Sequence, residues 1–382
     1  MAGGPLAGHL VVEMAGLGPA PLACLMLAEM GARVVRVERK GAGRAFLSAP
    51  AGRDLDRHGR EMVEVDLKHP DGRGFVLRLL ERADVVVEGF RPGVMERLGL
   101  GPEDLAASCP RLVYARMTGL GQDGPLKDRA GHDLTYLAMT GGLHAIGPAG
   151  GKPVVPLNLV ADYGGGTMFL VSGILAALVE RGRSGRGQVV DATMLDGVSM
   201  LLAPTYAYLA NGFWQDRRGG NLLDGGAPFY DTYETADGRH VAVACLEPQF
   251  FAEFARLLPL PDELAARQYD RSCWPRMKAE IETRFRARTR DEWQAIYEQT
   301  DACVAPVLSL AEAPAHPHNR ARGSHVEVEG MMRPAPAPRF SRTPGTVAEH
   351  RRVAPDLASL SFDASEIDAL MASGAVGIGK GK

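Results

Sequence analysis

The 382-residue sequence contains little cysteine, few aromatic residues and almost no net charge. Its five cysteines form no CxxC pair, which indicates free thiols in a reducing compartment rather than a disulfide scaffold or a structural zinc site. The 43 Lys and Arg residues nearly balance the 46 Asp and Glu residues. This balance argues against a nucleic-acid-binding protein and against an acidic disordered chain.

Long uninterrupted apolar runs are missing as well. Residues 10–30 are largely apolar, but Glu13 and Glu29 interrupt them, and no basic segment precedes them as it does in a signal peptide. No other run reaches the ~18 apolar residues that a membrane span requires. We therefore expect a soluble, cytoplasmic protein that does not bind a membrane.

The sequence is instead rich in glycine and proline, with 46 and 26 residues. Up to residue 191, short β-branched runs alternate with helix-length amphipathic segments, a pattern typical of a parallel sheet wrapped by helices. The predicted strands cover residues 9–13, 34–38, 62–67, 85–90, 112–117 and 188–191, and the main predicted helices cover residues 19–30, 74–82, 160–181 and 193–211.

A second, smaller domain follows a glycine-rich stretch at residues 216–227. Two alternating runs flank Asp237-Gly238, which predicts a hairpin, and Thr289 begins a capping-box pattern for a helix. Six prolines between residues 314 and 344 predict a long extended return. We divide the chain into a large domain (1–192), a helix and linker (193–230), a small domain (231–318) and a return linker with a C-terminal segment (319–382).

One glycine motif is a weak candidate for nicotinamide binding. Residues 16–21, Gly-Leu-Gly-Pro-Ala-Pro, follow the first predicted strand, and Glu38 lies where a ribose-binding acid could sit. The third glycine of the dinucleotide fingerprint is missing, however, and Pro19 removes an N–H group that a pyrophosphate needs. A plain strand-to-helix turn is the better interpretation.

Three polar residues are candidates for chemistry. His132 precedes a predicted helix, whose positive end favours the neutral imidazole that a general base requires. Asp162 precedes Gly164, Gly165 and Gly166, and three glycines at a helix start indicate the close approach of a ligand or of another backbone. Glu247 lies at the predicted start of a helix. Each of these residues is also explained by an ordinary structural or helix-capping role.

Basic residues follow the ends of several predicted strands. They are Arg39 and Lys40, Lys68, Arg91 and Arg97. The carboxyl ends of parallel strands share one edge of a sheet, where open α/β folds bind ligands. Together these cations could bind several phosphates, although any one of them alone reads as ordinary surface charge.

Nearly the whole sequence resembles the α-methylacyl-CoA racemases of the family III CoA-transferase (CaiB/BaiF) superfamily, whose other branches include formyl-CoA and carnitine CoA-transferases. The resemblance is carried by residues 5–8 (PLAG), 31–38 (GARVVRVE), 66–68 (DLK), 83–85 (ADV), 91–94 (RPGV), 116–125, 131–133 (GHD) and 221–228 (NLLDGGAP). It implies a fold with a Rossmann-like large domain and a smaller α+β domain. It also implies an interlocked homodimer whose active site lies between the large domain of one subunit and the small domain of the other.

The resemblance implies racemisation of 2-methylacyl-CoA thioesters in fatty-acid metabolism, with His132 and Asp162 as the opposed acid/base pair and Glu247 supporting the histidine. Enolate donors are expected among the N–H groups at the start of the Asp162 helix. No metal and no cofactor are expected, since CoA is part of the substrate. The implied CoA-binding residues are Arg39, Val65, Asp66, Leu67, Lys68, Gly89, Phe90, Arg91, Arg97, Gly131, Asp133 and Tyr136. The composition suggests Met168, Met194 and Met200 for the acyl pocket, or equally for the core.

Two alternatives stay open. In the transferases of the superfamily, the aspartate at the Asp162 position acts as a nucleophile through an acyl anhydride. A non-catalytic protein that binds CoA thioesters is a further alternative, against which the intact set of His132, Asp162 and Glu247 counts.

Overall fold

A computed structural model describes residues 3–41, 54–349 and 354–378 of the chain. The chain forms two compact units, which are described separately. The large unit comprises Met1–Thr140, Leu157–Leu201 and Gly323–Lys382, and the small unit comprises Gly141–Pro156 and Leu202–Arg322. Residues 141–156, which the sequence analysis includes in the large domain, lie in the small unit.

The described residues form twelve strands and fifteen α-helices. The strands are β1 Leu10–Met14, β2 Arg33–Arg39, β3 Arg60–Val65, β4 Val85–Glu88, β5 Val113–Thr118, β6 Val189–Thr193, β7 Tyr230–Glu234, β8 His240–Ala244, β9 Val304–Pro306, β10 His325–Val328, β11 Met331–Pro334 and β12 Val376–Ile378. The helices are α1 Pro19–Glu29, α2 Pro70–Arg82, α3 Val94–Arg97, α4 Pro102–Leu105, α5 Asp133–Met139, α6 Gly142–Ala145, α7 Met168–Ser184, α8 Met194–Leu201, α9 Ala203–Ala210, α10 Pro248–Leu257, α11 Asp262–Ala265, α12 Trp274–Phe285, α13 Arg290–Tyr297, α14 Pro317–Arg322 and α15 Ala364–Ala372.

The large unit is built on a seven-stranded sheet of order β12-β3-β2-β1-β4-β5-β6. All neighbouring strands from β3 to β6 are parallel, and β12 adds an antiparallel edge strand. The predicted parallel α/β sheet is therefore confirmed. The strand order reverses direction at β1 and β4, and such a switch point is where open sheets leave a crevice for ligands.

Helices cover both faces of this sheet. Val12 belongs to one buried cluster with Phe75 of α2, whereas its neighbour Val11 belongs to another with Leu27 of α1 and Ile174 of α7. Because both faces are covered, the inner strands are mostly hydrophobic. The buried charged residues on them are paired: Glu13 of β1 is fully buried and pairs with Arg36 of β2 and with Arg60, whose Nε lies 3.1 Å from Glu13 Oε2.

The predicted helix at residues 160–181 is a composite. Leu159–Thr167 is π-helical, and α7 continues from it. The combined stretch Leu159–Ser184 is, by length and composition, the one helix among the described residues that could cross a membrane. In this fold Leu170, Val171 and Ile174 are buried in the core on one face of the sheet, as in an ordinary core helix.

Two other predictions of secondary structure are wrong in detail. The predicted helix at residues 193–211 is two helices, α8 and α9, which meet at Leu202. Pro204 explains the break, since it lacks the N–H group that a continuous helix would use. The proline-rich return is not extended throughout, because α14 and the antiparallel hairpin of β10 and β11 interrupt it.

The small unit has an antiparallel sheet of order β7-β8-β9. The hairpin predicted around Asp237-Gly238 is confirmed by the register Glu234↔His240, with Gly238 at φ 70°. Its core is aromatic, with Phe285 stacked on Tyr233 and Phe254 stacked on Tyr297 among the buried side chains. The capping box predicted at Thr289 is present at the start of α13.

Candidate active site

Most of the residues of the large unit that we predict to form the site lie at or after the carboxyl ends of the parallel strands. Gly18 lies between β1 and α1, Arg39 ends β2, and Arg91 follows β4. A long loop after β5 leads to His132, which caps α5. The predicted catalytic histidine and the strand-end cations therefore belong to loops at one edge of one sheet.

His132 is exposed and has a fixed main chain. Its N–H group donates to the Thr135 hydroxyl oxygen at 3.0 Å, and that hydroxyl donates back to the His132 carbonyl at 2.8 Å. Extended backbone angles at His132 (φ −139°, ψ 171°) turn the chain into the helix. The imidazole thus projects from an anchored helix start, where a general base can reach substrate.

Asp162 lies in the π-helical segment and is half-buried. Its Oδ2 accepts a hydrogen bond of 3.1 Å from the Asn158 amide, and a Cβ on Gly18 would lie 3.6 Å from the same oxygen. Burial raises the pKa of the Asp162 carboxyl, the Asn158 hydrogen bond lowers it, the charge of Asp133 raises it, and His132 lowers it. The net direction is upward, which suits a carboxylate that must exchange protons.

Asp133 connects α5 with the π-helical segment. Its side chain is buried, and Oδ2 accepts hydrogen bonds from the N–H groups of Ala161 at 3.1 Å and Asp162 at 2.8 Å. Those two N–H groups belong to the set from which we predicted donors for the enolate oxygen. Because Asp133 already engages them, they are not free for that purpose.

Tyr136 of α5 is buried and lies within the electrostatic influence of both Asp162 and Arg91. Its ring packs on two glycines, since a Cβ would lie 2.0 Å from it at Gly119 and 2.5 Å at Gly131. Burial raises the pKa of the Tyr136 hydroxyl, the Asp162 charge raises it further, and Arg91 lowers it. The charges of Asp162 and Arg91 therefore both reach this ring.

The other predicted CoA-binding residues of the large unit lie at or after the carboxyl ends of β2, β3 and β4. Arg39, Lys68, Arg91 and Arg97 are all exposed, so their side chains are accessible to a ligand. Lys40 differs from these residues because its Nζ already donates a hydrogen bond to the carbonyl of Gly374. The segment Val65–Lys68 ends β3 and begins the turn into α2, and Gly89 and Phe90 join β4 to the loop before α3.

Glu247 belongs to the small unit, where it caps α10 and is exposed. Two neighbours are affected by its charge. Burial and then Glu247 raise the pKa of the Tyr269 hydroxyl, and the same two causes raise the pKa of the Cys303 thiol. The three side chains thus form a local cluster of the small unit.

The three predicted acyl-pocket methionines have different environments. Met194 is buried in the core of the large unit, whereas Met168 and Met200 are exposed. Met194 is therefore a core residue, whereas Met168 and Met200 stay candidates for an apolar surface that contacts the acyl chain.

The glycine triplet after Asp162 has a structural cause. A Cβ on Gly165 would lie 2.8 Å from the Val198 nitrogen, and one on Gly197 would lie 1.9 Å from the Gly165 oxygen. The sequence left open whether a ligand or another backbone approaches these glycines. The structure shows another backbone, because α8 packs directly on the π-helical segment.

Two residues at the site were not predicted. Asn158 precedes Asp162 by four residues, a spacing that places side chains on the same face of a helix, and this signal could have identified it. Gly18 was assigned only to a strand-to-helix turn. It lies close to Asp162, which is far from it in sequence, and no local sequence pattern reveals such proximity.

The fold and site define a class of protein. Residues 6–359 match CoA-transferase family III, and the chain therefore belongs to that family. It is 46% identical over 348 residues to the alpha-methylacyl-CoA racemase of Mus musculus (91% of this chain and 89% of that protein), and 44% identical over 340 residues to the Homo sapiens alpha-methylacyl-CoA racemase (89% and 87%). A CAIB/BAIF family protein from Brucella suis has a similar crystal structure, with 27% identity, a TM-score of 0.76 and coverage of 98% of this chain and 100% of that one. The predicted resemblance is confirmed.

Proposed function

We propose that this chain is a racemase that interconverts the (R)- and (S)-forms of 2-methylacyl-CoA thioesters. The observation that carries the proposal is the pair His132 and Asp162 at one sheet edge, in a chain nearly half identical to proteins named alpha-methylacyl-CoA racemase. CoA enters as part of the substrate, and we propose no further cofactor and no metal.

The chemistry requires two acid/base groups. The α-proton next to the thioester carbonyl is removed on one face, an enolate forms, and a proton is returned to the other face. In one direction His132 removes the proton and protonated Asp162 supplies the new one, and in the other direction the roles exchange. The raised pKa of Asp162 supports this double role, because it makes the protonated form more accessible near neutral pH.

The CoA portion would bind along the strand-end cations. Arg39, Lys68, Arg91 and Arg97 are exposed on neighbouring loops and carry the positive charge that phosphates require. The enolate oxygen needs a donor other than the N–H groups of Ala161 and Asp162, which Asp133 already engages.

We further propose a homodimer in which Glu247 of the partner subunit orients His132. A carboxylate hydrogen-bonded to an imidazole fixes its tautomer and orientation. Exposed apolar side chains support a large interface between copies: in α9 and the residues around it Tyr208, Leu209 and Phe213 are exposed, as is Val179 of α7.

The competing function is CoA transfer. The family description names transferases, and Asp162 is a carboxylate that could attack the thioester carbonyl, expel the CoA thiolate and leave an acyl anhydride. That route needs a carboxylic acid acceptor and no base on the opposite face of the α-carbon.

The test is to incubate the protein with one enantiomer of a 2-methylacyl-CoA in deuterated water, without any carboxylate acceptor. We expect deuterium at the α-carbon together with loss of optical purity. CoA transfer that depends on an added carboxylate, without α-exchange, would replace racemase by transferase. Tight binding of the thioester without either reaction would indicate a binding protein.

His132→Ala and Asp162→Ala serve as the matched variants. Loss of a positioned general acid/base costs about 10²- to 10⁴-fold in rate. We expect such a loss of racemisation in both variants, with binding of the CoA ester measured by calorimetry largely unchanged. Near-full activity in His132→Ala would contradict the two-base assignment.

A further inference from the structure

One carboxylate lies beside both proposed bases and is used by neither step of the reaction. Asp133 directly follows His132, its residue is 8% exposed, and its Oδ2 accepts the N–H groups of Ala161 and Asp162 at 3.1 and 2.8 Å. The N–H groups at a helix start have no partner within the helix. Asp133 therefore supplies, from a different helix, the acceptor that the π-helical segment lacks.

This contact constrains the geometry of the pair. His132 has its main chain held by Thr135, and the next residue holds the main chain of Asp162. A side chain at Gly18 would contact the Asp162 carboxylate, so the glycine at this position leaves room beside that group. The dipeptide His132-Asp133 therefore contains one proposed base and holds the main chain of the other, although the two bases are thirty positions apart in the sequence.

The second oxygen of Asp133 argues for a role beyond capping. Oδ1 is buried and has no hydrogen-bond partner among the described residues. An asparagine could accept the same two hydrogen bonds through its carbonyl oxygen without burying a negative charge beside Asp162. A partly satisfied buried carboxylate is costly, so its presence calls for an explanation.

The charge itself acts on Asp162. The groups that influence the pKa of this carboxyl are His132 and Asp133 from the start of α5 and Asn158 from its own segment, and the Asp162 charge in turn raises the pKa of the Tyr136 hydroxyl. Among them Asp133 is the like charge, and it raises the pKa of Asp162. Its removal should make Asp162 a weaker base.

We propose that Asp133 is a positioning residue, which holds the backbone of Asp162 through its buried carboxylate and supplies the negative charge that adjusts this base. The inference rests on the proposed racemase function, and it assigns to Asp133 a role other than the CoA contact that the resemblance implies. It makes no claim that Asp133 contacts the reacting atoms.

The experiment compares Asp133→Ala and Asp133→Asn in the full-length protein. The readouts are kcat and KM for racemisation, α-exchange in deuterated water, the pH profile of kcat and the thermal midpoint. Asp133→Ala removes acceptor and charge, whereas Asp133→Asn keeps an acceptor and removes only the charge. The control is Asp84→Asn, because Asp84 also accepts a main-chain N–H, from Leu10 at 2.8 Å, and carries an ion pair to Arg181.

We expect Asp133→Ala to lower kcat about 100-fold, the effect of misplacing a catalytic group by about 1 Å, with KM changed less than about threefold. Asp133→Asn should retain more activity. In the direction in which Asp162 is the base, its acidic limb should move to lower pH, since loss of the like charge lowers the Asp162 pKa. Asp84→Asn should leave both kcat and the limb unchanged.

Results that contradict the role of Asp133 differ from results that contradict the racemase proposal. A raised KM with unchanged kcat in Asp133→Ala would make Asp133 a CoA contact and overturn the inference. So would an unchanged pH profile in folded Asp133→Asn. If wild-type protein itself catalysed transfer without α-exchange, the racemase proposal would fail first, and this would be seen before any variant is made.

Discussion

At the scale of single residues, Asp162 is controlled by groups that act in opposite directions. Burial and Asp133 raise its pKa, whereas the Asn158 amide, 3.1 Å from Oδ2, and His132 lower it. Hydrogen bonds to the charged form favour that form, so Asn158 keeps the carboxylate available in spite of its half-buried position. The pKa of Asp162 is thus set by its burial and by three neighbouring side chains.

Asn158→Ala should therefore act in the opposite direction to Asp133→Asn. Without the amide donor the pKa of Asp162 rises further, and Asp162 must lose its proton to act as a base. The acidic limb of kcat should consequently move to higher pH, measured by racemisation across pH in the direction that uses Asp162 as base. Asn211→Ala, which removes an amide from the end of α9 in the small unit, is the control, and an equal shift in that variant would contradict the assignment.

The sequence singles out His132 and Asp162 as the proposed catalytic pair, but it does not reveal the residues that hold them in place. His132 and Asp162 carry local signals, namely a histidine before a helix and an aspartate before three glycines. The hydrogen bond between Asp133 and the Asp162 main chain, and the proximity of Gly18 to Asp162, depend on how α5, the π-helical segment and the β1–α1 turn meet in space. For the same reason the enolate donors predicted at the Asp162 helix proved to be engaged already.

At the scale of elements, the parallel strands β1 to β6 were predicted well because clear turns bound their apolar runs. The helices after residue 158 were predicted less well. Apolar periodicity does not distinguish a π-helical turn from an α-helical one, and the break at Leu202 depends on a single proline. The β10–β11 hairpin was hidden because proline-rich composition favours an extended chain.

The packing of α8 on the π-helical segment can be tested with one glycine. A Cβ on Gly197 would lie 1.9 Å from the Gly165 oxygen, a distance that only movement of the backbone can relieve. We expect Gly197→Ala to lower the free energy of unfolding by about 3 kcal/mol, the upper part of the range for overpacking. Denaturant unfolding followed by circular dichroism measures this change.

Gly182→Ala is the matched control for that variant. Gly182 lies in α7 and its Cβ would meet nothing within 4 Å. Alanine is the better helix former, so this variant should be stabilised by up to about 1 kcal/mol. Equal stability changes in the two variants would show that α8 does not depend on close contact at Gly197.

At the scale of the whole molecule, the nearly neutral charge balance conceals an uneven distribution. Exposed cations follow β2, β3 and β4 at the edge where the proposed site lies, while other charges are paired inside the sheet, as Glu13 is with Arg36 and Arg60. Net charge alone therefore excludes polyanion-binding proteins but does not exclude a site for one phosphate-bearing ligand. The three proposed catalytic residues do not all belong to one unit, since His132 and Asp162 lie in the large unit and Glu247 lies in the small one.

A complementation experiment tests whether two copies share their sites. If Glu247 of the partner subunit completes each site, a dimer of one His132→Ala chain and one Glu247→Ala chain has one intact site and one site with both changes. Random pairing of co-expressed chains makes about half of the dimers mixed, so about a quarter of the wild-type activity should return. Each variant expressed alone should be nearly inactive, and size-exclusion chromatography with light scattering should give a dimer. If His132 and Glu247 acted within one chain, no mixed dimer would hold an intact site, and co-expression would restore nothing.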